Sequence, residues 1–73
     1  MEDKLTEKQY KIYTIIKDFI AERGYSPTVR EIGKLAGLSS SATAYSHIKK
    51  LKQKGYISFI PEMSRTIRII KEY

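Results

Sequence analysis

The chain has 73 residues, 41% of them hydrophobic, which makes one small domain with a modest core. It has no cysteine and one histidine, so a disulfide is excluded, a structural zinc site nearly so, and no cofactor is expected. Fourteen Lys and Arg against eight Asp and Glu give a net charge of +6, a balance suited to a polyanionic partner.

The charge is unevenly placed. Glu2, Asp3, Glu7, Asp18, Glu22 and Glu31 precede Ser39, and only Glu62 and Glu72 follow it, so the second half is the positive half. No apolar run approaches the roughly 20 residues a membrane span needs. The opening MEDKLTEK does not read as a signal peptide, and a soluble, cytoplasmic protein is expected.

In chain order, Thr6 with Gln9 three residues on forms a capping box that predicts a helix over about 6–23, with Leu5 placed as a hydrophobic staple. Ile12, Tyr13, Ile16, Phe19 and Ile20 fall at helical spacing, Tyr10 lies off that stripe, and Gly24 ends the helix. Tyr25-Ser26-Pro27 reads as an extended connector, because a residue before proline avoids the helical region. Thr28 with Glu31 is a second capping box and opens a short helix over about 28–36. Val29, Ile32, Leu35 and Ala36 are expected to face inward there, and Gly37 stops it. Ser40 is the expected cap of a third helix over about 40–54, stopped by Gly55. The short connection between the second and third helices makes a helix-turn-helix unit. Beyond Gly55 the apolar period changes from 3.6 to 2. Residues 56–60 and 65–70 read as two strands, joined by a turn over Pro61-Glu62-Met63-Ser64. The fold class is therefore mainly α with a small β-hairpin: a winged helix-turn-helix of three helices and a two-stranded antiparallel wing over about 56–70, filling one domain over 1–73.

The third helix carries the functional signal. At roughly 100° per residue, Ala44, Ile48 and Leu51 form the buried stripe, with His47 at its edge. His47 reads as a packed histidine with one hydrogen bond rather than a catalytic base. The opposite face carries Ala42, Thr43, Tyr45, Ser46, Lys49, Lys50 and Gln53, with Ser40 and Ser41 at its tip. A DNA major groove, about 12 Å wide, admits a helix whose N-terminal side chains must approach the bases closely, and short side chains permit that approach. Ser and Thr hydroxyls suit base edges, Ala and Thr methyls suit the thymine methyl, and the helix N-terminus favours phosphate. Lys49 and Lys50 are placed to reach the flanking backbone. Taken alone, the lysines also fit an ordinary solvated face. Tyr45 tells more, since an outward tyrosine is unusual without a partner. There is no cysteine nucleophile, no GxSxG and no glycine-rich phosphate loop, so an enzyme is not expected.

The runs LTEKQYKIYTIIKDFI, YSPTVREIGKLAGLSSSATAYSHIKKLKQKGYI and SRTIRII together resemble the N-terminal DNA-binding domain of the LexA family, the bacterial SOS-response repressors, over about Leu5 to Ile70. The resemblance implies a nucleoid-associated repressor whose third helix reads the major groove of one half of a palindromic, double-stranded operator. Matched onto this sequence, the family's contact positions fall on Ser40, Ser41, Ala42, Thr43, Tyr45 and Ser46, with Arg65 at a wing position. Thr28, at the second helix's N-cap, joins the DNA-contacting set with Lys49 and Lys50. There are departures. Ser26 replaces a usual proline, Ala36-Gly37 stands where Leu-Gly is usual, and the wing segment Ile60-Pro61-Glu62-Met63 is less basic than many. Tyr45 sits where other members carry smaller, acidic or histidine side chains, so an operator sequence does not carry over. Family members continue into a C-terminal domain with a Ser-Lys autoprotease and the dimer interface. The sequence here holds neither, and is expected to be an excised domain or a small stand-alone relative. In isolation it is expected to be monomeric, pairing on DNA or through that further domain. The competing readings are a winged helix serving as a protein-interaction module and a stand-alone mobile-element regulator. Against the protein-interaction reading, a protein interface would be depleted in lysine and richer in apolar anchors.

Overall fold

The computed structural model describes residues 4–73; Glu2 and Asp3, part of the acidic first half, lie outside the described residues. The elements in order are α1 (Glu7–Arg23), α2 (Val29–Leu35), α3 (Ser41–Gln53), β1 (Ile57–Ser58) and β2 (Arg68–Ile69).

Each helix starts where its cap dictates. Thr6 Oγ1 accepts from the Gln9 amide at 3.1 Å while Gln9 Oε1 accepts from the Thr6 amide at 3.0 Å, which closes the first capping box. Thr28 and Glu31 repeat the arrangement at 3.1 and 2.9 Å. Two of the three helices also end alike. After α2, Gly37 takes a positive φ of 74°, its amide donates to Lys34 O at 3.1 Å, and the Leu38 amide donates to Gly33 O at 2.9 Å. After α3, the Gly55 and Tyr56 amides donate to Lys52 O and Leu51 O, each at 3.0 Å. Both are Schellman turns, and they redirect the chain from α2 into α3 and from α3 into the wing.

The core draws on every element. Ile12, Tyr13 and Ile16 of α1 meet Ile32 and Ala36 near α2 and Ile48 and Leu51 of α3, with Tyr56, Ile57 and Ile67 from the wing closing the layer. Ile16, Ile32 and Leu51 have no exposed surface, and burying each contributes about 1.5–3 kcal/mol. The α2–α3 crossing is close because Gly33 faces Ala44 across it: a Cβ built on Gly33 would lie 3.6 Å from that of Ala44.

Two expectations are corrected. Leu35 does not face inward; it is 58% exposed, and Gly33 takes the inward position beside Ile32 and Ala36. On a two-turn helix, position 35 lies more than 100° from the centre of the stripe set by 29, 32, 33 and 36, so the residue's hydrophobicity misleads. The wing strands are also far shorter than 56–60 and 65–70. Only Ile57 pairs with Ile69 and Ser58 with Arg68, antiparallel. The intervening chain is closed by side chains: Thr66 Oγ1 accepts from the Ile60 amide at 2.9 Å and donates to Met63 O at 3.1 Å. Glu62 and Arg65, with φ of 68° and 59°, turn the chain out of strand geometry.

The C-terminal segment returns to α1. Tyr13 Oη donates to Lys71 O at 3.1 Å, Tyr56 stacks edge-on against Tyr13, and Tyr73 packs against both Tyr56 and Tyr10. Among the described residues no helix is long and apolar enough to cross a membrane.

Candidate nucleic-acid interface

The start of α3 is built from the Ser40 cap. Its backbone is extended and its hydroxyl accepts from the Ala42 amide at 3.1 Å, leaving the first turn free of any larger side chain. Unlike α1 and α2, which carry Glu7 and Glu31 in their first turns, α3 has no acidic residue there. Its partial positive charge is therefore unneutralised by its own sequence and open to an anion. Ala44, Ile48 and Leu51 are buried, while Ser40, Ser41, Ala42, Thr43, Tyr45, Ser46, Lys49 and Lys50 are all exposed. These exposed residues run from the Ser40 cap through the first three-quarters of α3, a stretch about 15 Å long at 1.5 Å per residue.

The lysines divide into two pairs. Lys54 turns back into the fold and donates to Lys4 O at 2.7 Å and to Gln9 Oε1 at 2.8 Å. Lys52 donates to Phe59 O at 3.2 Å and lies 4.5 Å from the centre of the Phe59 ring. Lys50 has no partner among the described residues, and Lys49 only brushes the Tyr45 ring at 5.6 Å. The two outward lysines are the two singled out in the sequence.

Tyr45 has a partner that the sequence did not indicate. Its ring packs edge-on against Phe59 of the wing, with centroids 5.9 Å apart, a pairing worth about 0.5–1.5 kcal/mol beyond its burial. Its hydroxyl has no hydrogen-bond partner among the described residues, and the residue stays 37% exposed. His47 is half-buried beside Lys8, Lys11 and Leu38, and its side chain makes no hydrogen bond to a described residue, which corrects the expected single bond.

A cleft of about 600 Å³ runs between the start of α2, the start of α3 and the wing. Ser41, Ala42 and Tyr45 line it from α3, Thr28 from the start of α2, and Arg65 from the wing. Ser40, Thr43, Ser46, Lys49 and Lys50 continue the exposed face beyond the cleft. Thr28 and Arg65 differ from the rest because each already has polar atoms engaged within the domain. The Thr28 amide donates to Glu31 Oε1 and its hydroxyl oxygen accepts from the Glu31 amide, both in service of the α2 cap. Arg65 forks onto the Glu31 carboxylate, with Nη1 to Oε1 at 3.1 Å and Nη2 to Oε2 at 3.0 Å. That hydrogen-bonded pairing, reinforced by the Thr28 amide, holds the Glu31 carboxyl below its ordinary range, and it raises the Arg65 guanidinium in turn.

A basic three-helix domain that presents a small-residue helix end beside a wing is a winged helix-turn-helix DNA-binding domain. The LexA DNA binding domain family matches this chain over residues 2–66, and the chain belongs to that family. It is similar to the LexA repressors of Staphylococcus epidermidis and Staphylococcus haemolyticus, each 45% identical over 69 residues, and to that of Staphylococcus aureus at 44%. These alignments cover 94% of this chain and 33–34% of the relatives, so the chain spans about a third of the length of the curated relatives it matches.

Proposed function

We propose that this chain is the operator-reading part of a transcriptional repressor of SOS or related DNA-damage-response genes, acting at the bacterial nucleoid. The observation that carries the reading is the exposed face of α3, where residues from Ser40 to Ser46 are small but for Tyr45 and the outward lysines Lys49 and Lys50 follow one turn on. In this reading α3 enters the major groove. Ser40, Ser41, Ala42, Thr43, Tyr45 and Ser46 meet base edges and nearby phosphates, and Lys49 and Lys50 meet the flanking backbone. Thr28 and Arg65 lie on the wing side of the same surface. One domain covers one half-site, and a symmetric operator is filled by two domains about one helical turn, or a multiple, apart. The domain alone is a monomer with modest affinity.

Selection from a random duplex pool tests this. The expected result is enrichment of a single half-site motif, with affinity falling steeply as salt rises. Salt-dependent retention without any enriched motif would reduce the domain to a non-specific polyanion binder and overturn the operator-reading role.

A further inference from the structure

The wing is fastened on both sides of its loop. On one side Phe59 packs against Tyr45 of α3. On the other, Arg65 reaches 34 residues back along the chain to Glu31 and bonds it through both guanidinium arms. The same Nη1 donates to Ser26 O at 2.9 Å, and the guanidinium carbon stands 4.9 Å from the centre of the Tyr25 ring. Tyr25 in turn packs edge-on against Phe19 of α1. The buried Ser26 hydroxyl accepts from the Ile67 amide at 3.1 Å, two residues past Arg65. A proline at position 26 has no side-chain oxygen to make that bond. The connector, the cap of α2 and the wing are thus joined through one arginine.

We propose that Arg65 is a wing-positioning residue that stays forked on Glu31 when the domain binds DNA, and that it sets affinity through the placement of the wing rather than by touching phosphate. The inference rests on the DNA-reading role proposed above. Three observations support it. The pairing is bidentate, the geometry in which arginine and carboxylate hold each other best. Glu31 Oε1 already accepts from the Thr28 amide, so the carboxylate cannot follow Arg65 outward without opening the α2 cap. Arg65 itself sits at φ 59°, a left-handed conformation that a non-glycine residue keeps only when its surroundings hold it there. Were Arg65 to leave for a phosphate, it would abandon three hydrogen bonds and a ring contact, and would bare a carboxylate beside a polyanion.

Three single variants of the domain, Glu31→Gln, Arg65→Lys and Arg65→Gln, and the double variant Glu31→Gln/Arg65→Gln separate the two roles. Glutamine at position 31 still closes the capping box, so α2 is retained. Affinity for the selected duplex is measured across a salt series, and the Ile67 amide exchange rate is followed in the DNA-free protein. If Arg65 positions the wing, all three variants bind about two- to fivefold more weakly, as an exposed ion pair warrants. The slope of log affinity against log salt stays unchanged, the Ile67 amide exchanges faster, and Glu31→Gln/Arg65→Gln is no weaker than the worse single variant. A phosphate-contacting Arg65 predicts the reverse. Glu31→Gln would then bind more tightly with a steeper slope, Arg65→Lys would bind like the unaltered domain, and Arg65→Gln would lose about 0.9 of slope. Either that pattern or unchanged affinity in all three variants overturns the proposal while leaving the DNA-reading role standing. Failure of the unaltered domain to bind any duplex would instead overturn that role, and this inference with it.

Discussion

Gly33 sits inside α2, buried, with its missing side chain directed at Ala44 of α3. A Cβ at that position would meet the Ala44 Cβ at 3.6 Å, an ordinary van der Waals contact. Gly33→Ala therefore fits without moving either helix. It gains helix propensity and restricts the unfolded chain, for a net stabilisation of about 0.5–1 kcal/mol. In a domain of this size that is a rise in Tm of roughly 2–8 °C. Gly33→Leu has no such room, because Ala44 is fully buried. Overpacking should cost about 1–3 kcal/mol and push α3 away from α2, carrying the exposed face of α3 out of register with its DNA. Thermal melts followed by circular dichroism, with duplex binding measured alongside, decide the matter. Gly33→Ala should melt higher and bind as before, whereas Gly33→Leu should melt lower and bind poorly. A lower Tm for Gly33→Ala would refute the reasoning, because it would mean that the two helices have no space for a single methyl group.

Lys49→Ala and Lys50→Ala should each weaken binding to all duplexes alike and reduce the salt slope by about 0.9, as read from a salt titration on selected and random DNA. A change in base preference with the slope intact would make either lysine a base reader. Tyr45→Phe keeps the ring on Phe59 and should leave Tm unchanged while costing about 1 kcal/mol of affinity, the net worth of one hydrogen bond. Tyr45→Ala should lose that and the ring pairing too, lowering both Tm and affinity. Glu31 sets a pH dependence. Its carboxyl is held below the ordinary value of 4.5, chiefly by the Arg65 hydrogen bond, so the stability it contributes is fully present above pH 4.5. That contribution is lost as pH falls through the lower folded value. The Tm difference between the unaltered domain and Glu31→Gln should therefore close as the pH is taken towards 2, and a difference that persisted there would show that the pair's charge is irrelevant.

What was legible in the sequence is what local chemistry decides. The capping boxes at Thr6/Gln9 and Thr28/Glu31, the Ser40 cap and the Ala44–Ile48–Leu51 stripe are short-range patterns, and each stands in the structure where its residues place it. The outward run from Ser40 to Lys50 follows from the same stripe. What escaped depends on partners far along the chain. Glu31 reads locally as a cap, and nothing near it announces that Arg65 will share its carboxylate. Phe59 and Arg65 read as strand residues by alternation. Instead, the Thr66 hydroxyl and two positive-φ residues close the wing as an irregular loop. Leu35 was misread because two turns hold too few apolar positions to fix a stripe, and the inward position went to a glycine that hydrophobicity cannot mark.

The claim that the start of α3 meets DNA has its most direct test in Ala42→Glu. Ala42 is exposed at the second position of α3, whose first turn has no acidic residue, so a glutamate there favours the helix dipole and should leave Tm equal or slightly higher. The same carboxylate would face the phosphates and bases with a larger, like-charged side chain, and juxtaposed like charges cost several kcal/mol. Measured on the selected duplex, binding by the folded variant should fall by about 100-fold or more. A folded Ala42→Glu domain that bound with undiminished affinity would contradict the account, because this face of α3 could not then be the one that reads DNA.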